Sequence, residues 1–304
     1  MFSYTMTQWL FFFYFYCFFG WCFESAYVSL RSRHLVNRGF MRGPFLPLYG
    51  SGAIMMLVVS MPFQHNLFQT YVAGCIGATL LEYITGVVME ALFKVRYWDY
   101  SEQKFNFRGY ICLSSTLAWG GLTVLMTRIL HKPIEQLVLD IPNNILAIIV
   151  FILTIYIVAD FTLSFKAAID LRDILVRLEA VKEELDRVQK RLDVIIAMAY
   201  EGRGTKRQER EGRADELIAG IEERLLGLKE KIQSGVLVYP ENIREELLEL
   251  WTKYKINLES SKQLKNLIDI YKRRLIKGNP SMVSSKFKRA LQDIKDFVND
   301  KLKK

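Results

Sequence analysis

The sequence of 304 residues has few of the side chains that build metal centres and disulfide frameworks, with four cysteines and three histidines. The cysteines lie in apolar stretches, without a Cys-x-x-Cys pair or a histidine at ligand spacing: Cys17, Cys22, Cys75 and Cys112. A disulfide framework or a zinc site is therefore not expected. We interpret the cysteines as buried small apolar residues, and we expect no metal and no other cofactor.

Catalytic motifs are also missing. The chain lacks G-x-x-x-x-G-K-[ST], so it is not itself a P-loop ATPase, and any ATP-driven activity would need a separate ATPase subunit. It has no Ser/His/Asp or Cys/His constellation, and we assign His34, His65 and His131 to loops with a solvated role. The sequence therefore does not predict an enzyme, although paired carboxylates alone could do acid–base chemistry.

Charge is scarce in the first part of the chain. Of the 41 Lys and Arg and the 32 Asp and Glu, only 10 and 8 lie in residues 1–165. This asymmetry predicts an apolar transmembrane helical domain over residues 1–166 and a polar cytoplasmic domain over residues 167–304, and it argues against a single globular enzyme fold. The N-terminus lacks the basic segment and cleavage site of a signal peptide, so its apolar stretch is expected to remain as a membrane span.

Five apolar segments are long enough to cross most or all of a hydrocarbon core of about 30 Å. We place them near residues 7–30, 44–62, 67–93, 109–130 and 143–166. The second is the least regular because prolines and glycines crowd its start, and it could begin as a broken or re-entrant segment.

The distribution of basic residues predicts the orientation, because positively charged loops stay on the cytoplasmic side. Loops 31–43 and 94–108 each carry four Lys or Arg, whereas residues 1–8 and 62–67 carry none. We therefore expect an all-α, multi-pass protein of the plasma membrane, with its N-terminus outside and its C-terminal region in the cytoplasm.

Four carboxylates lie inside or at the ends of these spans, where an unpaired charge costs on the order of 3 kcal/mol or more: Glu24, Glu82, Glu90 and Asp160. Two of them, Glu24 and Glu90, lie near cytoplasmic span ends and could pair with nearby loop arginines. The candidate partners are Arg38, Arg42, Arg96 and Arg108. Structural ion pairs and a transport or ligand site both remain open as interpretations, and Asp160 is expected at the interface.

A series of short motifs appears in a fixed order. They are Gly20-Trp21 with Glu24, Asn37-Arg38-Gly39-Phe40, Gly43-Pro44 with Pro47 and Tyr49-Gly50, Leu81-Glu82-Tyr83 with Glu90, Trp98-Asp99-Tyr100-Ser101, Phe105-Asn106 with Gly109, and Trp119-Gly120. Over roughly residues 8–125 the chain resembles the bacterial ABC-transporter type IV (CmpB-like) membrane family, whose members are labelled permeases.

The resemblance implies that the polar members of these motifs are the positions to test: Glu24, Asn37, Arg38, Glu82, Glu90, Asp99 and Asn106. Most of them lie near the cytoplasmic face, where loop arginines such as Arg42 also gather. If they converge, they form a polar pocket open to the cytoplasm that suits a small polar or ionic ligand.

The second domain begins with a heptad pattern that runs directly out of the fifth span. Its seam consists of Leu171, Ile174, Leu178, Val181, Leu185, Val188, Leu192 and Ile195. This pattern is typical of a parallel coiled coil, but narrow apolar stripes in the following segments also favour self-packing helical hairpins within one chain. The charged residues 201–213 and the segment 238–240 are expected to break these helices.

Two function classes follow from these observations. The first is a transporter, or the permease-like membrane subunit of a transport system, with its site in the polar cluster. The second is a non-catalytic scaffold that oligomerises or recruits a helical partner through the heptad seam. The expected partners are the lipid bilayer, a separate ATPase, and a second copy or other helical protein. The basic run around Arg273 is interleaved with acidic residues and lacks a nucleic-acid motif, so nucleic acid is not expected.

Overall fold

A computed structural model describes residues 4–199, 214–233 and 241–300. The described chain is almost entirely helical, as predicted. Its helices are α1 (Met6–Ser32), α2 (Pro47–Ser60), α3 (Leu67–Phe93), α4 (Leu113–Leu125), α5 (His131–Leu139), α6 (Asn143–Ala199), α7 (Ala214–Gln233), α8 (Glu241–Asn266), α9 (Ile270–Gly278) and α10 (Lys288–Asp300). Two short strands, β1 (Asn106–Phe107) and β2 (Ile111–Cys112), pair antiparallel. The predicted breaks at 201–213 and 238–240 lie outside the described residues.

The chain divides into two compact units. The first contains Met1–Asp170 together with Ile270–Ser284, and the second contains Leu171–Asp269 together with Ser285–Lys304. The long helix α6 contributes to both of them. The first unit is therefore discontinuous in sequence, because a short C-terminal segment packs with the apolar helices. We call residues 270–284 the return segment.

Helices occupy the positions of the five predicted spans. Two helical segments among the described residues are long and apolar enough to cross a membrane, Leu67–Phe93 and Asn143–Ile195, and Pro47–Phe63 is a shorter apolar one. Helix α2 begins only at Pro47, because Pro fits the first turn of a helix, where its missing N–H has no partner to lose. The preceding residues 44–46 are not helical, which agrees with the irregular start expected there.

The fourth predicted span differs most from the observed structure. Residues 109–112 belong to the β-ribbon region rather than to a helix, and helix continues beyond residue 130 through a π-turn at Met126–Leu130 into α5. Pro133 lacks the N–H that would bond to the carbonyl of Ile129, so regular α-helical hydrogen bonding is interrupted next to the π-turn. The expectation that His131 lies solvated in a loop is wrong, since its side chain is buried at the start of α5.

Glycines set the close approach of the apolar helices. A Cβ on Gly50 of α2 would lie 2.3 Å from the Cys17 sulfur and 2.7 Å from the Phe13 carbonyl oxygen on α1. A Cβ on Gly74 of α3 would lie 2.2 Å from the Thr123 hydroxyl on α4. In each pair, the backbone at the glycine of one helix therefore lies close to a side chain of the other helix. Small residues allow this close packing at interfaces between membrane helices.

The second unit buries the heptad seam of α6 inside the chain itself. All eight seam residues are at most 9% exposed, and Leu178, Leu185 and Leu192 are fully buried. Polar contacts join α6 to its neighbours: Arg191 pairs with Glu246 of α8, and Lys182 donates to Asp293 of α10 at 2.7 Å. This is the arrangement expected if the stripe packs on the following helices of the same chain.

Candidate functional site

The first polar centre joins α1, α2 and the loop between them. Glu24 lies in the last turns of α1, and its carboxylate accepts from Arg38 Nε at 3.2 Å and from the Tyr49 hydroxyl at 2.5 Å. The predicted pairing of Glu24 with a loop arginine is therefore confirmed, with Arg38 as the partner. Because both carboxylate oxygens are engaged, this pair fixes the loop against the two helices.

Arg38 also binds the return segment. One terminal nitrogen donates to the Gly278 carbonyl and to the Asn279 side-chain oxygen, both at 3.0 Å, and the other donates to the Ser281 hydroxyl at 3.2 Å. The Asn279 amide in turn donates to the Gly39 carbonyl at 3.0 Å. A Cβ on Gly278 would lie 2.7 Å from the Asn37 carbonyl oxygen, so only glycine permits this approach. The return segment therefore forms part of the first polar centre.

The other two candidates of this loop have separate contacts. Asn37 accepts from the Trp21 indole at 2.8 Å and donates to the Arg42 carbonyl, which holds the loop against α1. Arg42 lies 3.8 Å from Asp160 and covers the Tyr271 ring at 3.9 Å. Asp160 is buried, and it accepts from the Gly43 N–H at 2.7 Å. Asp160 was expected at the membrane interface, and its burial was not predicted because its partners come from the loop after α1, far away in sequence.

Glu82, near the middle of α3, has a different environment. Its side chain is buried, and it accepts from Tyr100 at 3.0 Å, from the Trp119 indole at 2.9 Å and from Ser115 at 3.3 Å. Within the described part of the chain, Glu82 has no cationic partner. Three neutral donors therefore surround a carboxyl group in the apolar part of the protein, where an uncompensated charge is costly.

Tyr100 donates to Glu82 and lies within electrostatic range of Glu24. Burial and the adjacent Glu82 carboxylate raise the pKa of Tyr100, and Glu24 adds a smaller contribution in the same direction. The hydroxyl therefore stays protonated and remains a donor to Glu82. Glu24 and Glu82, which the sequence placed on two separate spans, are close enough to act on one tyrosine.

Another polar centre, formed around Glu90, lies at the end of α3. Glu90 accepts from Arg96 Nε and from the Tyr110 hydroxyl, each at 2.5 Å. The Arg96 guanidinium lies over the Tyr110 ring at 4.6 Å and 3.6 Å from Asp99. The predicted pairing of Glu90 with a nearby arginine is therefore confirmed.

Asp99 and Asn106 shape the loop that follows α3. Asp99 accepts from the Ser101 N–H at 3.0 Å and from its hydroxyl at 2.5 Å, as in an Asx turn. Asn106 donates to the Ser101 and Gln103 carbonyls and accepts from the Gly109 N–H. Gly109 has φ +74°, and a Cβ there would lie 2.6 Å from Asp99. Both candidates therefore hold backbone in place within this loop.

The return segment also pairs with this loop. Val283 and Arg96 form an antiparallel bridge, Ser281 donates to the Tyr97 carbonyl at 2.9 Å, and Ser284 donates to the Lys94 carbonyl at 2.7 Å. Residues 279–284 thus join the two loops that carry most of the candidates. The sequence gives no sign of these contacts, because Gly278-Asn279-Pro280 predicts only a helix break.

A further polar cluster surrounds the buried His131. Tyr16 contacts its Nδ1 at 2.8 Å, and Tyr4 contacts its Nε2 at 3.1 Å. Tyr4 also donates to Glu135 at 2.5 Å. The sequence offers one signal for this cluster: an aromatic-rich first span that contains Tyr16, with Tyr4 just before it.

The fold and the polar centres define a helical protein with apolar helices and an internal network of carboxylates, arginines and tyrosines. A family model described as "Putative ABC-transporter type IV" matches residues 11–165, slightly more than half of the chain. The chain belongs to this family, as the motifs predicted. The matched range contains all eight candidate ligand-binding residues and does not contain the return segment. No curated protein and no solved structure matches the chain.

Proposed function

We propose that this chain is the membrane subunit of a transport system for a small cationic ligand, with Glu82 as the ligand-binding carboxylate. The family and the two long apolar helices support a membrane protein of a transport system. In this proposal the chain crosses the plasma membrane five times, with its N-terminus outside and its C-terminal region in the cytoplasm. Since the sequence has no P-loop motif, a separate ATPase subunit supplies any ATP-driven step.

The burial of Glu82 among neutral donors is the observation that carries the proposal. Glu24 and Glu90 each pair with an arginine, whereas the partners of Glu82 among the described residues are the neutral donors Tyr100, Trp119 and Ser115. In this environment the charge of a carboxyl group is removed by a proton or balanced by a bound cation. As the cation binds, Glu82 would release its proton to solvent. In the protonated state a hydroxyl of Tyr100 or Ser115 can accept from the carboxyl group, whereas the Trp119 indole donates in both states.

A hydrophobic carbodiimide tests this proposal because it reacts with protonated carboxyl groups in apolar surroundings. We expect Glu82 to be modified in intact membranes and to be protected by the cation that binds there, with Na⁺, K⁺ and ammonium as the probes. Glu102, an exposed carboxylate of the loop after α3, is the matched site for comparison. Modification of Glu82 that none of these cations prevents, or labelling of Glu102 alone, would contradict the proposal.

The scaffold function would need a surface other than the heptad seam. The seam residues that would form a parallel coiled coil are buried by the chain itself, which weighs against assembly through them. Exposed apolar side chains such as Leu248 and Ile256 lie on α8, and a partner would have to use a surface of that kind. The transport proposal is therefore the one that the geometry supports better.

A further inference from the structure

A narrow cleft of the first unit is lined by polar groups that are incompletely paired among the described residues. The cleft is open to solvent, and its enclosed part has room for about one water-sized group, such as a single oxygen of a ligand. Ser164, Arg42, Arg274 and Tyr271 are among its lining residues. The Ser164 hydroxyl is buried, and no described residue forms a hydrogen bond with it. An unpaired buried hydroxyl costs about 1–3 kcal/mol, so its persistence at a cleft wall needs a reason.

The two arginines of the cleft are also incompletely paired within the described chain. Arg42 has one distant ion pair with Asp160, at 3.8 Å, and one face of its guanidinium covers Tyr271. Its N–H groups make no hydrogen bond to a described residue. Arg274 is exposed and has no described partner at all. Asp160 carries a single negative charge, so it offsets at most one of the two guanidinium groups.

The position of Ser164 on α6 indicates the depth of the cleft in a bilayer. The preceding residues of this helix are exposed and apolar over several turns, as at Phe151, Ile155, Val158 and Leu163. Exposed charged residues of this helix begin directly afterwards with Lys166, since the earlier Asp160 is buried. An apolar helix surface that ends at a cluster of arginines places those arginines at the level of the lipid headgroups.

We propose that this cleft binds a phosphate group, with Arg42 and Arg274 facing its charge and Ser164 donating to one of its oxygens. A phosphate presents several acceptor oxygens to donors that lack acceptors, and guanidinium groups match it well. The depth of the cleft favours the phosphate of an anionic phospholipid over a free phosphate ion. The site does not include Glu82, so this proposal can be tested independently of the transport proposal.

The test measures lipid and phosphate binding to the full-length chain. Purified protein in a non-ionic detergent is titrated with phosphatidylglycerol, phosphatidylcholine or inorganic phosphate, and bound species are counted by native mass spectrometry. Removal of a charge-assisted hydrogen bond should weaken phosphatidylglycerol binding about tenfold in Arg274→Gln, and removal of the neutral donor should weaken it about threefold in Ser164→Ala. The charge-matched control is Lys277→Gln, at an exposed position of α9 that does not line the cleft.

Each outcome decides the proposal. Selective loss of phosphatidylglycerol binding in Arg274→Gln and Ser164→Ala supports a lipid phosphate site, and loss of inorganic phosphate binding in the same variants supports a site for free phosphate. Equal weakening in Arg274→Gln and Lys277→Gln would mean that surface charge alone attracts the lipid, and it would overturn the proposal. Unchanged binding of both probes in Ser164→Ala and Arg274→Gln would overturn it as well.

Discussion

Arg96 and Val283 exchange two backbone hydrogen bonds, at 2.7 Å and 2.9 Å, although almost the whole second unit lies between them in sequence. The return segment therefore joins the loop after α3 by regular strand-like pairing and joins the loop after α1 through Arg38. The return segment itself lies outside the matched family range, whereas the loop residues that it contacts lie inside that range.

Asn279 is the side chain whose loss should release the return segment. Asn279→Ala removes the acceptor for Arg38 and the donors to the Gly39 and Leu275 carbonyls, and we expect a loss of about 1–3 kcal/mol in local stability. Hydrogen exchange followed by mass spectrometry should show faster exchange at Val283. The control is Lys277→Ala, an exposed change on α9, and equal exchange in the two variants would show that Asn279 does not hold the segment.

Two glycines of α2 provide a matched test of helix packing. Gly50→Ala places a Cβ 2.3 Å from the Cys17 sulfur, whereas a Cβ on Gly52 meets nothing within 4 Å. We expect Gly50→Ala to destabilise the protein by about 1–3 kcal/mol and Gly52→Ala to be neutral or slightly stabilising. Thermal unfolding in detergent measures both, and a smaller melting-temperature loss for Gly50→Ala than for Gly52→Ala would refute the close α1–α2 approach.

The pair Lys182–Asp293 is the buried ion pair to test in the second unit, with side chains 1% and 4% exposed. Removing either partner leaves a buried charge, so Lys182→Met or Asp293→Leu alone should cost about 3–5 kcal/mol. The double variant should recover much of that loss because both charges are gone. Changing the exposed pair Lys253–Glu249 should cost about 0–1 kcal/mol. Hydrogen exchange of α10 measures these losses. If the double variant of the buried pair were less stable than either single variant, the result would contradict this account.

The proposed topology gives opposite labelling for two loops. A single cysteine introduced at His65 should react with a membrane-impermeant maleimide in intact cells, since residues 62–67 lie outside in this topology. A cysteine at Glu102 should react only after the membrane is permeabilised. The background needs the four native cysteines replaced, and the reverse labelling pattern would mean that the chain has the opposite orientation.

Local patterns predicted the apolar helices well. The third span was placed at 67–93, and α3 occupies Leu67–Phe93, because the apolar run and its bounding polar residues are both local. Glu24–Arg38 and Glu90–Arg96 could be anticipated as well, since each carboxylate lies near a span end and its arginine follows in the next loop.

The remaining features depend on contacts between distant residues. The donors to Glu82 come from the loop after α3 and from α4, and nothing in the sequence near Glu82 specifies them. The docking of Asn279 depends on Arg38 in the same way. His131 was assigned to a loop, just beyond the fourth predicted span at 109–130, but helix continues past Pro133 after a π-turn at Met126–Leu130.

Infrared difference spectroscopy on the protein in lipid tests the central role of Glu82 most directly. Addition of Na⁺, K⁺ or ammonium should remove the carbonyl stretch of one protonated carboxyl group and create a carboxylate band, and both changes should be absent in Glu82→Gln and retained in Glu102→Gln. The same difference spectrum in Glu82→Gln as in the unchanged chain, or no cation-dependent carboxyl signal in the unchanged chain, would contradict the assignment of Glu82 as the ligand-binding carboxylate.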